Sequence, residues 1–135
     1  MKALDTNVLA RFFIDDPDDP QAARQRPAAI AALSERAYVS VTVLLEFEWV
    51  MRGFYGMART DVARVLRALV GIEHVSVEDR GAVLKALEAF DAGLDFADAL
   101  HVCRSGRATG FATFDRRLVK RADRLALAPK VELLT

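Results

Sequence analysis

Short apolar segments alternate along the chain with longer stretches in which apolar residues recur every three or four positions. The short segments predict strands at 3–4, 38–41, 75–77, 111–113 and 131–134. The longer stretches predict helices at 6–14, 20–34, 43–54, 60–69, 78–91, 96–105 and 116–122. Because helices separate the strands, we expect an α/β fold: a central parallel sheet of about four to five strands with helices on both faces.

The predicted helix starts coincide with residue types that commonly cap helices. Asp19 precedes Pro20, a favourable first helical residue, and Pro27 is expected to kink or restart the same helix. Further starts are assigned to Thr42, to Thr60 with Asp61, to Glu78 with Asp79, and to Asp95.

Length and composition are those of a single globular domain covering residues 1–135. With 53% apolar residues, the chain can bury a core without a disulfide or a structural metal. Cys103 is the one cysteine, which suits a reducing compartment and is typical of a small buried apolar residue. No apolar leader and no apolar run long enough to span a bilayer is visible, so we expect a cytoplasmic protein without a membrane segment.

The net charge is zero, but the two signs are segregated along the chain. Residues 1–20 carry two basic and five acidic groups, and residues 73–98 carry two and seven. Residues 99–135 carry eight basic and three acidic groups, concentrated after Asp115. A basic flank beside acidic residues suits a polyanion held by Lys and Arg while a metal performs the chemistry, although a solvated helix face explains the charges equally well.

Four acidic residues stand where a predicted strand ends or where a helix has one polar position among apolar ones: Asp5, Glu46, Asp98 and Asp115. Asp5 and Asp115 each follow a predicted strand, and parallel strands deliver such residues to a shared edge. Several carboxylates in one pocket repel each other unless a cation or protons neutralise them. Oxygen ligands without Cys or His favour Mg²⁺ or Mn²⁺, which support hydrolysis of phosphodiesters.

The order and spacing of four motifs resemble the PIN-domain ribonucleases, and most closely the VapC-like toxins of bacterial toxin–antitoxin pairs. The resemblance extends from Ala3 to about Leu134. The motifs are Leu4-Asp5-Thr6-Asn7-Val8-Leu9, Leu44-Leu45-Glu46 with Trp49-Val50, Asp95-Phe96-Ala97-Asp98-Ala99-Leu100-His101, and Ala112-Thr113-Phe114-Asp115. Each motif alone is common, whereas the four together are specific.

The resemblance implies a Mg²⁺- or Mn²⁺-dependent endoribonuclease in which four positions form the catalytic and metal-binding set. Asp5 and Asp98 correspond to direct ligands, Glu46 to a ligand or a base that positions water, and Asp115 to an outer-sphere or second-metal ligand. Supporting positions are Thr6, Asn7, Asp95 and Thr113.

Structural roles compete with these functional ones. Asp95 and Asp98 have the spacing of a capping box, so we assign Asp95 chiefly to the cap and Asp98 to the metal. Glu46 lies in a helix so apolar that its burial would require a metal or an Arg partner, whereas Glu48 is expected to be solvated or to cap. His101 is expected to be packed, and Trp49, Phe54 and Tyr55 to be core or interface residues.

Two other classes of function remain open. A noncatalytic PIN-like module that binds RNA or protein is the alternative, although such a scaffold has no need of four acids. A receiver-type phosphoacceptor also gathers acids at strand ends, but it requires a lysine at a late strand end where this chain has Thr113-Phe114-Asp115.

The resemblance also implies partners: an RNA substrate, a cognate antitoxin and a second copy of the chain. The antitoxin is expected to cover the acidic pocket and to lie along 47–55 and 60–69. A homodimer is expected because the helix over 43–54 is apolar nearly all round and the next carries Val62, Val65, Leu66 and Leu69, more than one domain would cover.

Overall fold

The computed structural model describes residues 1–135 and contains seven α-helices and five strands. A π-helical turn, Val50–Phe54, continues the third helix. In chain order the elements are β1 (Lys2–Ala3), α1 (Thr6–Phe13), α2 (Pro20–Leu33), β2 (Ala37–Val39), α3 (Val41–Trp49), α4 (Arg59–Val70), β3 (Val75–Val77), α5 (Arg80–Asp91), α6 (Phe96–Cys103), β4 (Phe111–Thr113), α7 (Arg116–Arg124) and β5 (Val131–Leu133).

The strands form two separate parallel sheets, one in each of two compact units, Met1–Glu78 and Asp79–Thr135. In the first unit the order is β1-β2-β3, and in the second β4 pairs with β5. The expected α/β class and parallel pairing are confirmed, but the single sheet of four to five strands is wrong. Each strand has only two or three residues, so an apolar segment identifies a strand without determining which ladder it joins.

In the first unit, α1 packs against both α2 and α3. The rings of Phe13 on α1 and Phe47 on α3 lie with their centroids 5.9 Å apart. The apolar face of α4 is also covered within this one chain. Residues of the unit with no exposed area are Leu9, Ala37, Val39, Leu44, Phe47, Met51, Val62, Leu66 and Leu69.

In the second unit, α5 packs along α6, and α7 packs against β5. The rings of Phe90 and Phe96 meet edge to face with centroids 5.8 Å apart, a favourable aromatic geometry. Val83, Leu87 and Val102 are fully buried. The packing of α5 against α6 thus fixes the position of α6, at whose start the acidic residues lie.

Several helix ends differ from the predictions. Ser40, and not Thr42, caps α3, because its Oγ accepts from Val43 N–H at 3.3 Å. No side chain caps α4, which begins after Ala58 and before the predicted Thr60. The helix α2 runs from Pro20 to Leu33 without restarting at Pro27. The longest helix has 14 residues, and none is long and apolar enough to cross a membrane.

Candidate active site

Asp5 ends the short strand β1 and caps helix α1. Leu4 N–H donates to Tyr38 O at 2.9 Å, which fixes the strand next to β2. One residue later, Asp5 Oδ1 accepts from Asn7 N–H at 3.1 Å and satisfies a free donor at the helix start. This bond uses one carboxylate oxygen of an exposed side chain, so the second oxygen remains for a cation or water.

Thr6 connects the start of α1 to Glu46 on α3. Its side chain is buried, and its hydroxyl donates a hydrogen bond to Glu46 Oε1. Glu46 itself is exposed, so water and not a buried partner solvates the rest of its carboxylate. The expected need for an Arg or metal to offset burial of Glu46 is therefore wrong. Thr6 was predicted only as a supporting position, and its contact with Glu46 was not predicted.

Glu48 is the buried acid of α3, contrary to the prediction that it is solvated or caps a helix. Only 2% of it is exposed, and the guanidinium of Arg52 one turn later donates to it from Nε at 2.8 Å. Residues two positions apart project about 200° apart around a helix, so the two glutamates must face different surroundings. With apolar residues on nearly every face of α3, the sequence could not show which glutamate faces inward.

Asp95 caps α6 and leaves the side chain of Asp98 free. Asp95 Oδ2 accepts from Asp98 N–H at 3.1 Å, as expected for a cap. The reciprocal bond of a capping box, from Asp95 N–H to the Asp98 carboxylate, is absent. Capping therefore accounts for Asp95 but does not account for the Asp98 side chain. His101, one turn later, is exposed and is not the packed histidine that we expected.

The carboxyl of Asp98 lies in surroundings that oppose its charge. Partial burial raises its pKa above the usual aspartate range, and the negative charges of Asp95 and Asp115 raise it further. His101 acts in the opposite direction and lowers the pKa. Crowding of three aspartates is the condition that a divalent cation would relieve.

Asp115 caps α7 at the end of β4. Its Oδ1 accepts from Arg117 N–H at 2.9 Å and from Leu118 N–H at 3.2 Å. The hydroxyl of Thr113 accepts from Asp115 N–H at 3.0 Å and fixes the turn between strand and helix. Asp115 and Asp5 thus share one design: each follows a strand, caps the next helix through one oxygen and is exposed.

A basic surface follows Asp115 directly, as the sequence predicted. The side chains on α7 that are exposed and positively charged are Arg116, Arg117, Lys120, Arg121 and Arg124. One of them, Arg121, donates to Gly93 O at 2.7 Å. The others leave a cationic surface next to the acid at the start of the helix.

Each unit therefore brings part of the predicted set together. The first unit places Asp5 beside Thr6 and Thr6 against Glu46. The second couples Asp98 electrostatically to Asp95 and Asp115. No group of three or more histidine, cysteine or acidic side chains has the geometry of a metal site. In chemical type, however, these carboxylate and hydroxyl oxygens fit Mg²⁺ or Mn²⁺.

A cavity beside Asp5 was not anticipated. It measures about 370 Å³ and is lined by Asp5, Asn7, Val8, Arg11, Gln25, Ala28, Ala29 and Ala32. Asn7 and Arg11 are four residues apart and therefore share a face of α1, a spacing that could have indicated a polar face. Nothing in the sequence of α2 indicated that its alanines would form the opposite wall.

Comparison with protein families gives one match, to the PIN domain, over residues 2–125. Comparisons with curated proteins and with solved structures give no match. The matched region covers most of the chain and includes all four predicted catalytic acids.

Proposed function

The chain belongs to the PIN-domain family, and on that basis we propose that it is a Mg²⁺- or Mn²⁺-dependent endoribonuclease acting as the toxin of a toxin–antitoxin pair. PIN domains are generally metal-dependent nucleases, which makes phosphodiester hydrolysis the reaction to test first. The substrate in this proposal is RNA, and the alternative is a noncatalytic PIN-like module.

The observation that carries the proposal is the state of the acids. Asp5 and Asp115 each use one carboxylate oxygen to cap a helix, which leaves the other oxygen available. The surroundings of Asp98 disfavour its negative charge and raise its pKa. A noncatalytic scaffold gains nothing from an aspartate whose ionisation is opposed by two others. Such a cost is typical of functional sites.

By correspondence with the family, Asp5 and Asp98 would hold the cation, with Glu46 and Asp115 as further ligands or positioning groups. When bound, the cation would lower the pKa of a water molecule and stabilise the charge that develops on the phosphate. Thr6 contributes by keeping the Glu46 carboxylate in one orientation. Thr113 contributes by holding the turn that presents Asp115.

The exposed cations of α7 support RNA as the substrate. Arg116 and Arg117 come directly after the Asp115 cap, and Lys120 and Arg124 continue the surface along the helix. Phosphates bound there release counterions, so binding should weaken steeply as salt increases. Positive charge beside the acids also offsets the repulsion between carboxylates and an RNA backbone.

The decisive experiment incubates the purified protein with total RNA in Mg²⁺ or Mn²⁺, with and without EDTA, and maps the ends. Asp5→Asn and Asp98→Asn should abolish cleavage, and Asn at position 5 can still cap α1. Asp18→Asn and Glu88→Gln remove exposed acids of the first and the second unit outside the predicted set and serve as matched controls. Cleavage by both site variants at the parental rate would refute the assignment, and absence of cleavage by the parent would favour the noncatalytic module.

The toxin role predicts a protein partner that inhibits the enzyme. Two large aromatic residues at the end of α3 support such a surface: 58% of Trp49 and 74% of Phe54 are exposed. The indole packs against Gly53, where an added Cβ would lie 3.3 Å from Trp49 Cε2. Expression of the parent should arrest growth, whereas expression of Asp98→Asn should not. Abundant, soluble and active parent without growth arrest would contradict the toxin role.

A homodimer remains part of the proposal, but the apolar face of α4 no longer supports it. Val62, Leu66 and Leu69 are fully buried in the single chain, so the face of α4 does not need a partner. Other large apolar residues of the chain are exposed, and among them Trp49 and Phe54 are five positions apart, so a second copy could cover both. Light scattering at micromolar concentration tests this, because a mass that stays near 14.9 kDa on concentration would exclude the dimer.

A further inference from the structure

We propose that the cavity beside Asp5 binds one nucleotide of the RNA next to the phosphate that is cleaved. This inference rests on the proposed function and deepens it by assigning a substrate subsite to α1 and α2. The residues that define the subsite are Arg11, Gln25 and Ala28, none of which belongs to the predicted catalytic set.

The position of the cavity is the first argument. One end is formed by Asp5 and Asn7 and another part by Arg11 on the same helix. Arg11 comes six positions after Asp5, which corresponds to about 9 Å along the axis of α1. The guanidinium of Arg11 attracts a phosphate directly, whereas the Asp5 carboxylate would accept one only through a bound cation. RNA can meet both requirements, because it carries a phosphate at every nucleotide step.

Arg11 is held in place and still has donors to offer. Its Nε donates to Gln25 Oε1 at 3.0 Å, and its Nη1 donates to Tyr55 Oη at 3.4 Å. A guanidinium has five N–H donors in a planar arrangement, so these two bonds leave three. Because the side chain is already oriented by α2 and by Tyr55, binding a phosphate would cost it little conformational entropy.

The remaining lining suits a base. Ala28, Ala29 and Ala32 on α2 and Val8 on α1 provide apolar contact without filling the space. The amide of Gln25 is oriented, since an arginine offers no acceptor and must face Oε1, which leaves the two N–H donors of Nε2 for another group. Single-stranded RNA is recognised in this manner, through apolar contacts to the base and hydrogen bonds to its edge. A volume of about 370 Å³ lies within the range of small-ligand sites.

The test measures binding of a fluorescent single-stranded RNA dodecamer by the full chain in EDTA, so that cleavage does not enter. Ala28→Leu narrows the cavity from an exposed position and should raise the Kd about tenfold, because the larger side chain occupies space that the base needs. Ala23→Leu makes the same change on an exposed position of α2 that does not line the cavity, and should leave the Kd unchanged.

A second variant tests the phosphate contact. Arg11→Met should lower the slope of log Kd against log salt by about 0.7, the value for one contact with single-stranded nucleic acid. Arg36→Met, at an exposed arginine of the same unit outside the cavity, is the matched control. Circular dichroism melts of all four variants establish that each is folded at the assay temperature.

The outcomes separate this inference from the proposed function. If Ala28→Leu weakens RNA binding and the parent does not cleave RNA, the cavity binds a nucleotide but the proposed nuclease function is refuted. Cleavage and binding that are both unaffected by Ala28→Leu and Arg11→Met would refute the subsite alone. If Ala28→Leu weakens binding of poly-L-glutamate but not of RNA, the cavity binds an acidic peptide and the RNA assignment is overturned.

Discussion

The hydroxyl of Thr6 donates a hydrogen bond to the carboxylate of Glu46, and this bond joins α1 to α3 across 40 positions of sequence. Thr6 is buried and Glu46 is exposed, so a rigid group orients a mobile one. Glutamate has three rotatable side-chain bonds, and holding it in one conformation costs entropy that the buried threonine helps to offset. The bond therefore acts on the geometry of a candidate catalytic group more than on the stability of the fold.

Replacing Thr6 by Val should reduce RNA cleavage while changing stability only modestly. Valine matches the shape of threonine but removes the donor to Glu46, whose exposed carboxylate can be solvated instead. We expect kcat to fall about tenfold and the free energy of unfolding to change by about 1 kcal/mol. Thr6→Ser keeps the hydroxyl and should retain most of the activity. Equal kcat in the Val and Ser variants would show that the bond does not position Glu46.

The two glutamates of α3 should respond to substitution in opposite ways. Glu48 is buried and paired with Arg52, so Glu48→Ala should lower the free energy of unfolding by roughly 2 kcal/mol. Glu46→Ala should leave stability nearly unchanged, because that carboxylate is exposed, but should impair cleavage. Urea melts and cleavage rates of both variants test the contrast. The predicted contrast would be wrong if Glu46→Ala were more destabilising than Glu48→Ala.

Asp98 should make the folded protein less stable as pH increases through its titration. Its folded pKa is raised, mainly by burial, so between the unfolded value near 3.9 and the folded value the native state holds a proton that the unfolded chain has lost. Stability therefore decreases as pH increases across this window and does not change further above it. In EDTA, Asp98→Asn should melt at or above the parental temperature at pH 7, and the advantage should disappear below about pH 3.5.

The exposed aspartate on α7 provides the control for that measurement. Asp123→Asn should melt like the parent at both pH values, since Asp123 is exposed to solvent. Addition of Mg²⁺ or Mn²⁺ should raise the melting temperature of the parent more than that of Asp98→Asn. A variant at position 98 that is less stable than the parent at pH 7 would contradict the crowding argument.

Cys103 should react slowly with iodoacetamide in the folded protein. It lines a cavity of about 410 Å³ with Lys85 and Glu88, and burial raises the pKa of the thiol. Lys85 lowers that pKa and Glu88 raises it, so Lys85→Met should slow alkylation at pH 8 and Glu88→Gln should accelerate it. The rate in the unfolded chain gives the reference. Rates that move in the same direction for both variants would show that charge does not govern this thiol.

Local patterns in the sequence predicted the elements of this fold well, because each depends on neighbouring residues. Strand β4 and the starts of α1, α6 and α7 follow from an apolar run or an aspartate cap, and the structure confirms them. The pairing of strands could not be predicted in the same way, since the ladders join residues far apart in sequence and the short strands carry little register information.

The site shows the same division between local and long-range information. Asp95 was assigned to a helix cap, which is present, whereas Asp5 and Asp115 were assigned to strand ends, and the structure shows that each also caps the next helix. The orientations of Glu46 and Glu48 were exchanged in the prediction, because α3 is apolar on nearly all sides and helical periodicity gave no preferred face. The contacts of Thr6 and Arg11 could not be predicted from the sequence, because their partners lie 40 and 14 positions away.

The position of Trp49 gives the protein an optical reporter of its own. It is the one tryptophan in the chain, it is more than half exposed, and it lies three residues after Glu46 on the same helix. Its fluorescence spectrum therefore reports the polarity of one known place on the surface, without a label. Any molecule that covers this end of α3 should shift the emission to shorter wavelength, whereas a molecule that binds elsewhere should not. Binding events at this surface can thus be located and timed in solution with the unmodified chain.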